Sequence, residues 1–298
     1  MGPFIIIGLG EVLWDLFPSG KQLGGAPSNF AYITHLLGDR GMVASRVGND
    51  ELGHLARIRL TELGLDSTLL QTDRFHPTGT VQVNVDNNGQ PSFEITRPVA
   101  WDFLQWTSEW KLIAEQADAV CFGSLAQRSP ESRATIRTFL QAMRPGGARI
   151  FDVNLRQTFY STEIILQSLQ HAHVVKLNHE ELPRVMQLIN APCHDDVSAA
   201  RQLLRIFNLD LVCVTRGEKG SLLVNRVHAH EQPGFTVKVV DTVGSGDAFT
   251  AALVHHYLRK ASLEMMNLAA NQMGAWVAGQ AGGTPPVNAA QLACARRQ

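Results

Sequence analysis

Short apolar runs alternate with longer amphipathic stretches along most of the chain. Phe4–Leu9, Gly41–Val47, Ala119–Phe122, Arg149–Val153, Val174–Leu177 and Leu211–Thr215 each have the length of a buried strand. Between them, Pro27–Leu37, Glu51–Leu63, Glu131–Met143, Glu163–Leu169 and Val197–Phe207 carry apolar residues at helical spacing. Gly38 and Gly64 end the first two of these helices. Strands that are apolar throughout, separated by helices, predict βαβ units and a mostly parallel sheet covered on both faces.

One region breaks this rhythm. Thr80–Asp86 alternates with period two, Asn87-Asn88-Gly89-Gln90 reads as a turn, and Ser92–Arg97 alternates again. This is a hairpin pattern, suited to a sheet that is wet on one face. Val12–Phe17 supplies a further strand to the same small sheet. The expectation is a single α/β domain over residues 1–298, with about 11–23 and 69–102 forming a lid. Val81, Val83 and Val85 are expected on the outer face of the hairpin, where they would pair with a second lid in a homodimer.

Composition narrows the class without naming the chemistry. The chain has 298 residues, 45% apolar and 18% charged, with a formal net charge of −1. That is ordinary for a folded domain with a large core. No block of Lys or Arg appears, which argues against nucleic acid as a partner. No apolar window approaches a membrane span, and the start lacks the basic region of a signal peptide. Cys121, Cys193, Cys213 and Cys294 lie far apart without metal-type spacing. A reduced cytoplasmic setting is expected.

The candidate chemistry begins at Asp241-Thr-Val-Gly-Ser-Gly-Asp247, followed at once by an apolar helix. A turn of small residues at a helix start aims backbone N–H groups at one point, and the helix dipole attracts anions there. Asp247, in the first turn, is placed to take a proton from a hydroxyl beside the bound anion. The amides of Gly244, Ser245 and Gly246 would offset charge on a transferred phosphoryl group. Gly24 and Gly25 permit close backbone approach to a ligand, and Asn29 is polar within an apolar stretch. Asp152-Val-Asn-Leu-Arg156, Asn178-His-Glu-Glu181 and Thr215-Arg-Gly-Glu-Lys-Gly220 each follow a predicted strand. Ligands sit beyond the carboxyl ends of strands in open α/β sheets, so these segments point to one shared edge. Gly8-Leu-Gly10 is not a dinucleotide fingerprint, because Leu13 stands at the third glycine position, and no Walker motif occurs. The histidine pairs lack supporting carboxylate or Cys patterns, and Asp195-Asp196 reads as a helix start.

With these segments in view, the chain resembles the ribokinase (PfkB-type) carbohydrate kinases, most closely bacterial fructokinases. Gly24–Gly48 is similar to the N-terminal signature, with Asn29, Ala31, Gly38 and Gly48 in place, and Asp241–Val254 to the C-terminal one. The resemblance implies a ribokinase-like α/β fold with a β-lid, and ATP-dependent phosphorylation of a sugar hydroxyl. It implies Asp247 as base and Gly244, Ser245 and Gly246 as anion hole, with Ser245 where the family more often has Ala. Asp15, Gly24, Gly25, Asn29, Arg97 and Arg156 match sugar-binding positions. Asn178 and Glu181 match a motif that organises Mg²⁺ and phosphate indirectly. Thr215, Gly217, Gly220 and Asn271 match nucleotide-binding positions. Asp241 and the Val243 carbonyl resemble part of a K⁺ site that the loop from Ala278 to Thr284 would complete. Fructose is the expected acceptor. 2-Keto-3-deoxygluconate, ribose and nucleosides are the alternatives, and a non-catalytic sugar sensor is the rival of a different class.

Overall fold

The apolar runs form one large sheet in the computed structural model, which describes residues 2–18, 20–85 and 91–287, with backbone alone at 83–85 and 91–93. Its strands are β1 (Ile5–Leu9), β4 (Arg40–Gly48), β5 (Leu70–Asp73), β8 (Ala119–Phe122), β9 (Ala148–Asp152), β10 (Val174–Asn178), β11 (Leu211–Thr215), β12 (Ser221–Asn225) and β13 (Ala229–Gln232). They lie in the order β13-β12-β11-β10-β9-β8-β1-β4-β5. Pairing is parallel from β5 to β11, while β12 runs antiparallel to both its neighbours. β1 is flanked by β4 and β8, so the chain leaves it in one direction and returns on its other side. The crevice at such a reversal is the expected ligand position in an open sheet.

Both faces of the sheet's central strands are buried, which explains why those strands read as apolar runs rather than alternations. One face packs α1 (Ala26–Leu36), α2 (Glu51–Glu62), α8 (Ser245–Leu258) and α9 (Leu263–Ala278). The other packs α3 (Ser108–Ala114), α4 (Pro130–Ala142), α5 (Thr162–His171), α6 (Glu181–Leu188) and α7 (Asp196–Phe207). Polar caps set several of these starts. Asp50, Thr107, Ser161, Asp195 and Ser262 each accept a backbone N–H of their own helix. Two of the buried indoles are anchored by hydrogen bonds. Trp110 Nε1 donates to the Leu69 carbonyl at 3.1 Å, and Trp14 Nε1 to that of Leu52 at 2.9 Å.

The alternating region forms a separate four-stranded sheet, β3-β2-β6-β7, from β2 (Leu13–Phe17), β3 (Gly20–Gly24), β6 (Gly79–Val85) and β7 (Pro91–Ile95). Two expectations need correction here. Residues 69–73 are not part of this sheet, because β5 pairs parallel with the edge strand β4. Val81 is not on an outer face. It is 7% exposed and packs with Leu13 and Ile95. A period of two puts Val81 on the inner side and the exposed Gln82 outside, so the proposed dimer contact loses this residue. The side chains of Val83 and Val85, the Asn87–Gln90 turn and Cys294 lie outside the described residues. Cys121 and Cys213 are buried free thiols, and Cys193 is an exposed one. Among the described residues, no helix is long and apolar enough to cross a membrane.

Candidate active site

The switch point beside β1 collects the polar groups that the apolar strands exclude. Glu11 follows β1, Gly123 follows β8, Asp152 ends β9 with Asn154 just beyond it, and Asp247 enters from the start of α8. These residues line one hollow together with Pro27 of α1.

Asp247 has the environment of a base. Its Oδ2 accepts a hydrogen bond from Asn29 Nδ2 at 2.8 Å. Burial raises its pKa to about 6, and the nearby Asp152 charge pushes in the same direction. The Asn29 hydrogen bond and the Lys176 and Arg156 charges pull it back. The carboxyl is therefore mostly ionised at neutral pH, yet basic enough to accept a proton. Asn29 Oδ1 is buried without a partner among the described residues. A buried orphan acceptor calls for a ligand donor such as a sugar hydroxyl.

The turn before α8 is tighter than its sequence suggests. Gly244 has φ of 76°, and a Cβ there would stand 2.4 Å from Gly283 Cα, so glycine is required twice over. The Ser245 N–H and hydroxyl lie 3.2 and 2.9 Å from the Thr242 carbonyl oxygen, to which both donate. This corrects the expected anion hole, since the Ser245 amide is used in closing the turn. The amides of Gly244, as expected, and of Gly246 and Asp247 have no partner among the described residues. They are the open donors at the helix start.

Asp15, Gly24 and Gly25 gather on the small-sheet side of the hollow. Gly25 has φ of 102°, and a Cβ there would stand 2.5 Å from the Glu11 carbonyl oxygen. A Cβ on Gly24 would meet Asp15 Oδ2 at 2.3 Å. Burial lifts the Glu11 carboxyl to about 7, helped by the Asp247 charge and opposed by backbone hydrogen bonds and Arg156. Burial lifts Asp15 to about 6, with Arg156 lowering it and Asp241 raising it. Arg156 thus acts on all three carboxyls. Among the described residues it has no ion-pair partner. Arg97 is not brought to this hollow. It lines an adjacent cavity of about 570 Å³, where its guanidinium lies 5.5 Å from the Phe159 ring.

The nucleotide-side residues line a groove of about 540 Å³. Thr215, Gly217, Gly220 and Asn271 border it, with Ser245 and Gly246. The Asn271 NH₂ is already engaged, donating to Ser221 Oγ at 2.7 Å and to the Asn267 carbonyl at 2.8 Å. Asn178 and Glu181 do not border the groove. Asn178 Oδ1 accepts the Glu181 N–H, and Glu181 Oε2 accepts the Asn178 N–H, both at 2.8 Å. Glu181 Oε1 accepts the Leu155 N–H at 2.8 Å, which locks the loops after β9 and β10 together. Asp241 accepts the N–H groups of Val243 (3.0 Å) and Gly282 (3.1 Å), tying the α8 turn to the segment after α9. Glu11, Lys176 and Thr250 escaped the expected set of site residues. A charge inside an apolar run was the available signal for the first two, and Thr250 offers none.

A base aimed at a hollow, open amides beside it and a groove beyond describe a group-transfer site. The family model for pfkB family carbohydrate kinases matches residues 19–290. The chain belongs to the PfkB carbohydrate kinases. An Escherichia coli fructokinase is 34% identical to this kinase over 260 residues, covering 83% of this chain and 82% of that one. Among solved structures, a sugar kinase of Pyrococcus horikoshii superposes with a TM-score of 0.83 at 27% identity, covering 98% of both chains. A Vibrio cholerae fructokinase, crystallised in a fructose-, ADP- and calcium-bound form, has a TM-score of 0.80 at 29% identity, again over 98% of both chains. A 2-dehydro-3-deoxygluconokinase of Thermotoga maritima, at 16% identity and a TM-score of 0.85, shares the fold.

Proposed function

We propose that this sugar kinase transfers the γ-phosphoryl group of ATP to a hydroxyl of fructose. The observation that carries the reading is Asp247, held by Asn29 at 2.8 Å beside the open amides of Gly246 and Asp247. Ionised Asp247 takes the proton of the acceptor hydroxyl. The hydroxyl oxygen bonds to the γ-phosphorus as the bond to the β–γ bridging oxygen breaks, releasing ADP. The open amides hold the equatorial oxygens as charge builds on them. Mg²⁺ carried with ATP would offset phosphate charge, and Glu181, both of whose oxygens accept backbone amides, would serve it only indirectly, by fixing the loops after β9 and β10.

Fructose is favoured by the fructokinase relatives in E. coli and V. cholerae. The four-stranded sheet is read as a lid whose closure over the hollow excludes water. A V. cholerae fructokinase variant crystallised in a potassium-bound form supports K⁺ as a ligand, and Asp241 and the Val243 carbonyl are the positions that the family resemblance offers for it. ATP as donor and free thiols suit a cytoplasmic enzyme. An ADP-release screen over fructose, 2-keto-3-deoxygluconate, ribose, tagatose and adenosine tests the assignment, with fructose expected to give the highest kcat/KM. Asp247→Ala should keep sugar binding by calorimetry and lose turnover by about 10³-fold or more. Near-normal turnover in that variant would sink the assignment.

A further inference from the structure

Lys176 is a lone cation in the apolar strand β10, 8% exposed. Its Nζ stands 3.1 and 3.2 Å from the two carboxylate oxygens of Asp152 at the end of β9. Thr250 Oγ1, in the second turn of α8, lies 2.9 Å from both Asp152 Oδ2 and the Gly246 carbonyl oxygen. A Cβ built on Gly246 would stand 3.1 Å from Lys176 Nζ, so the ammonium sits directly against the anion-binding turn. Two sheet strands and the start of α8 therefore meet at one buried charge pair.

Such a pair is a poor source of stability, because desolvation of both ions offsets their attraction. Its position suggests another role. We propose that Lys176 is a positioning residue for phosphoryl transfer. It supplies the positive charge that lets two carboxylates, Asp152 and Asp247, share one end of α8. Through Asp152 and Thr250 it also holds the Gly246 turn in register for the transferred group. This rests on the sugar-kinase reading. The groups facing Asp247 come from every neighbouring element: Glu11 after β1, Asn29 of α1, the Cys121 thiol of β8, Asp152 and Arg156 at and beyond the end of β9, and Lys176 of β10. Only Lys176 and Arg156 among them are cations, and Lys176 is the buried one.

The test uses Lys176→Met, Asp152→Asn and the double variant of the full chain. Thermal unfolding, calorimetric ATP binding, and kcat and KM for fructose from pH 5 to 9 are measured. The double variant removes both charges, so it is expected to fold even if Lys176→Met, which strands Asp152, does not. Its kcat should fall about tenfold or more with KM for fructose little changed, since the turn and not the sugar contact is disturbed. Asp152→Asn should move the acid limb of kcat to lower pH, and Lys176→Met to higher pH, each by about one unit. A double variant with wild-type kcat, or an acid limb that stays put in Asp152→Asn, overturns the proposal. A wild-type protein that transfers phosphate to no sugar fails the kinase reading itself, before any variant is compared.

Discussion

Asn29→Ala isolates the contact that sets the base. The wild-type amide donates to Asp247 Oδ2 at 2.8 Å, and that bond lowers a carboxyl that burial has raised to about 6. A hydrogen bond to a charged acceptor contributes about 1.5–3 kcal/mol. At about 1.4 kcal/mol per pKa unit, its loss should move Asp247 to about 7–8. The ionised fraction at pH 7 then falls from about nine-tenths to between about one-tenth and one-half, while at pH 9 both proteins are almost fully ionised. Coupled ADP-release assays from pH 5.5 to 9 read this as a variant-to-wild-type ratio of kcat/KM. The loss should be about two- to tenfold greater at pH 7 than at pH 9. Asn29 Oδ1 also offers an acceptor to the sugar, and losing it weakens binding, but that part does not vary with pH across this range. A ratio that stays flat from pH 5.5 to 9 would refute the role of Asn29 in setting the base.

Two further outcomes follow from the charges. Asp247, Asp15 and Glu11 have folded-state pKa values of about 6, 6 and 7, above their ordinary ones. The folded state holds extra protons between about pH 4 and 7, so these groups favour folding at low pH and lose that contribution as pH rises through 6 to 7. Asp247→Asn should therefore raise the Tm of the ligand-free protein at pH 8, by about 2–4 °C, and change it less at pH 4.5. An unchanged Tm at pH 8 in differential scanning fluorimetry counts against the burial of this carboxyl. Arg128 makes two 2.8 Å bonds to Asp102, with both side chains 6% exposed, and donates to the Thr96 carbonyl at 2.7 Å. Arg128→Met leaves the buried Asp102 charge without its cation, keeping only the Val99 N–H at 3.1 Å, and should cost about 3 kcal/mol or more in urea unfolding. A loss below about 1 kcal/mol would show that Asp102 finds another partner.

The central strands were readable because they bury both faces and so are mostly apolar, whereas β5, β12 and β13 at the two ends of the sheet, of which β5 and β13 are partly exposed, were not anticipated. The ends of β8, β9, β10 and β11 came within a residue of their expected positions for that reason. The lid limits were less readable. Leu70–Asp73 is a short edge strand whose membership depends on β4, which lies more than twenty residues away in sequence. The inward side of Val81 was equally hidden, since alternation shows that two faces differ and not which one meets the body.

The glycine turn before an apolar helix, with Asp247 in its first turn, needed no partner to be recognised, because helix starts bind anions through local backbone geometry. Which amides stay open is a tertiary matter, decided when Ser245 folds back on Thr242 and Gly283 packs against Gly244. The proton affinity of Asp247 is likewise tertiary. Asn29, Asp152 and Lys176 reach it from three separate elements, and burial and charge act through space rather than along the chain.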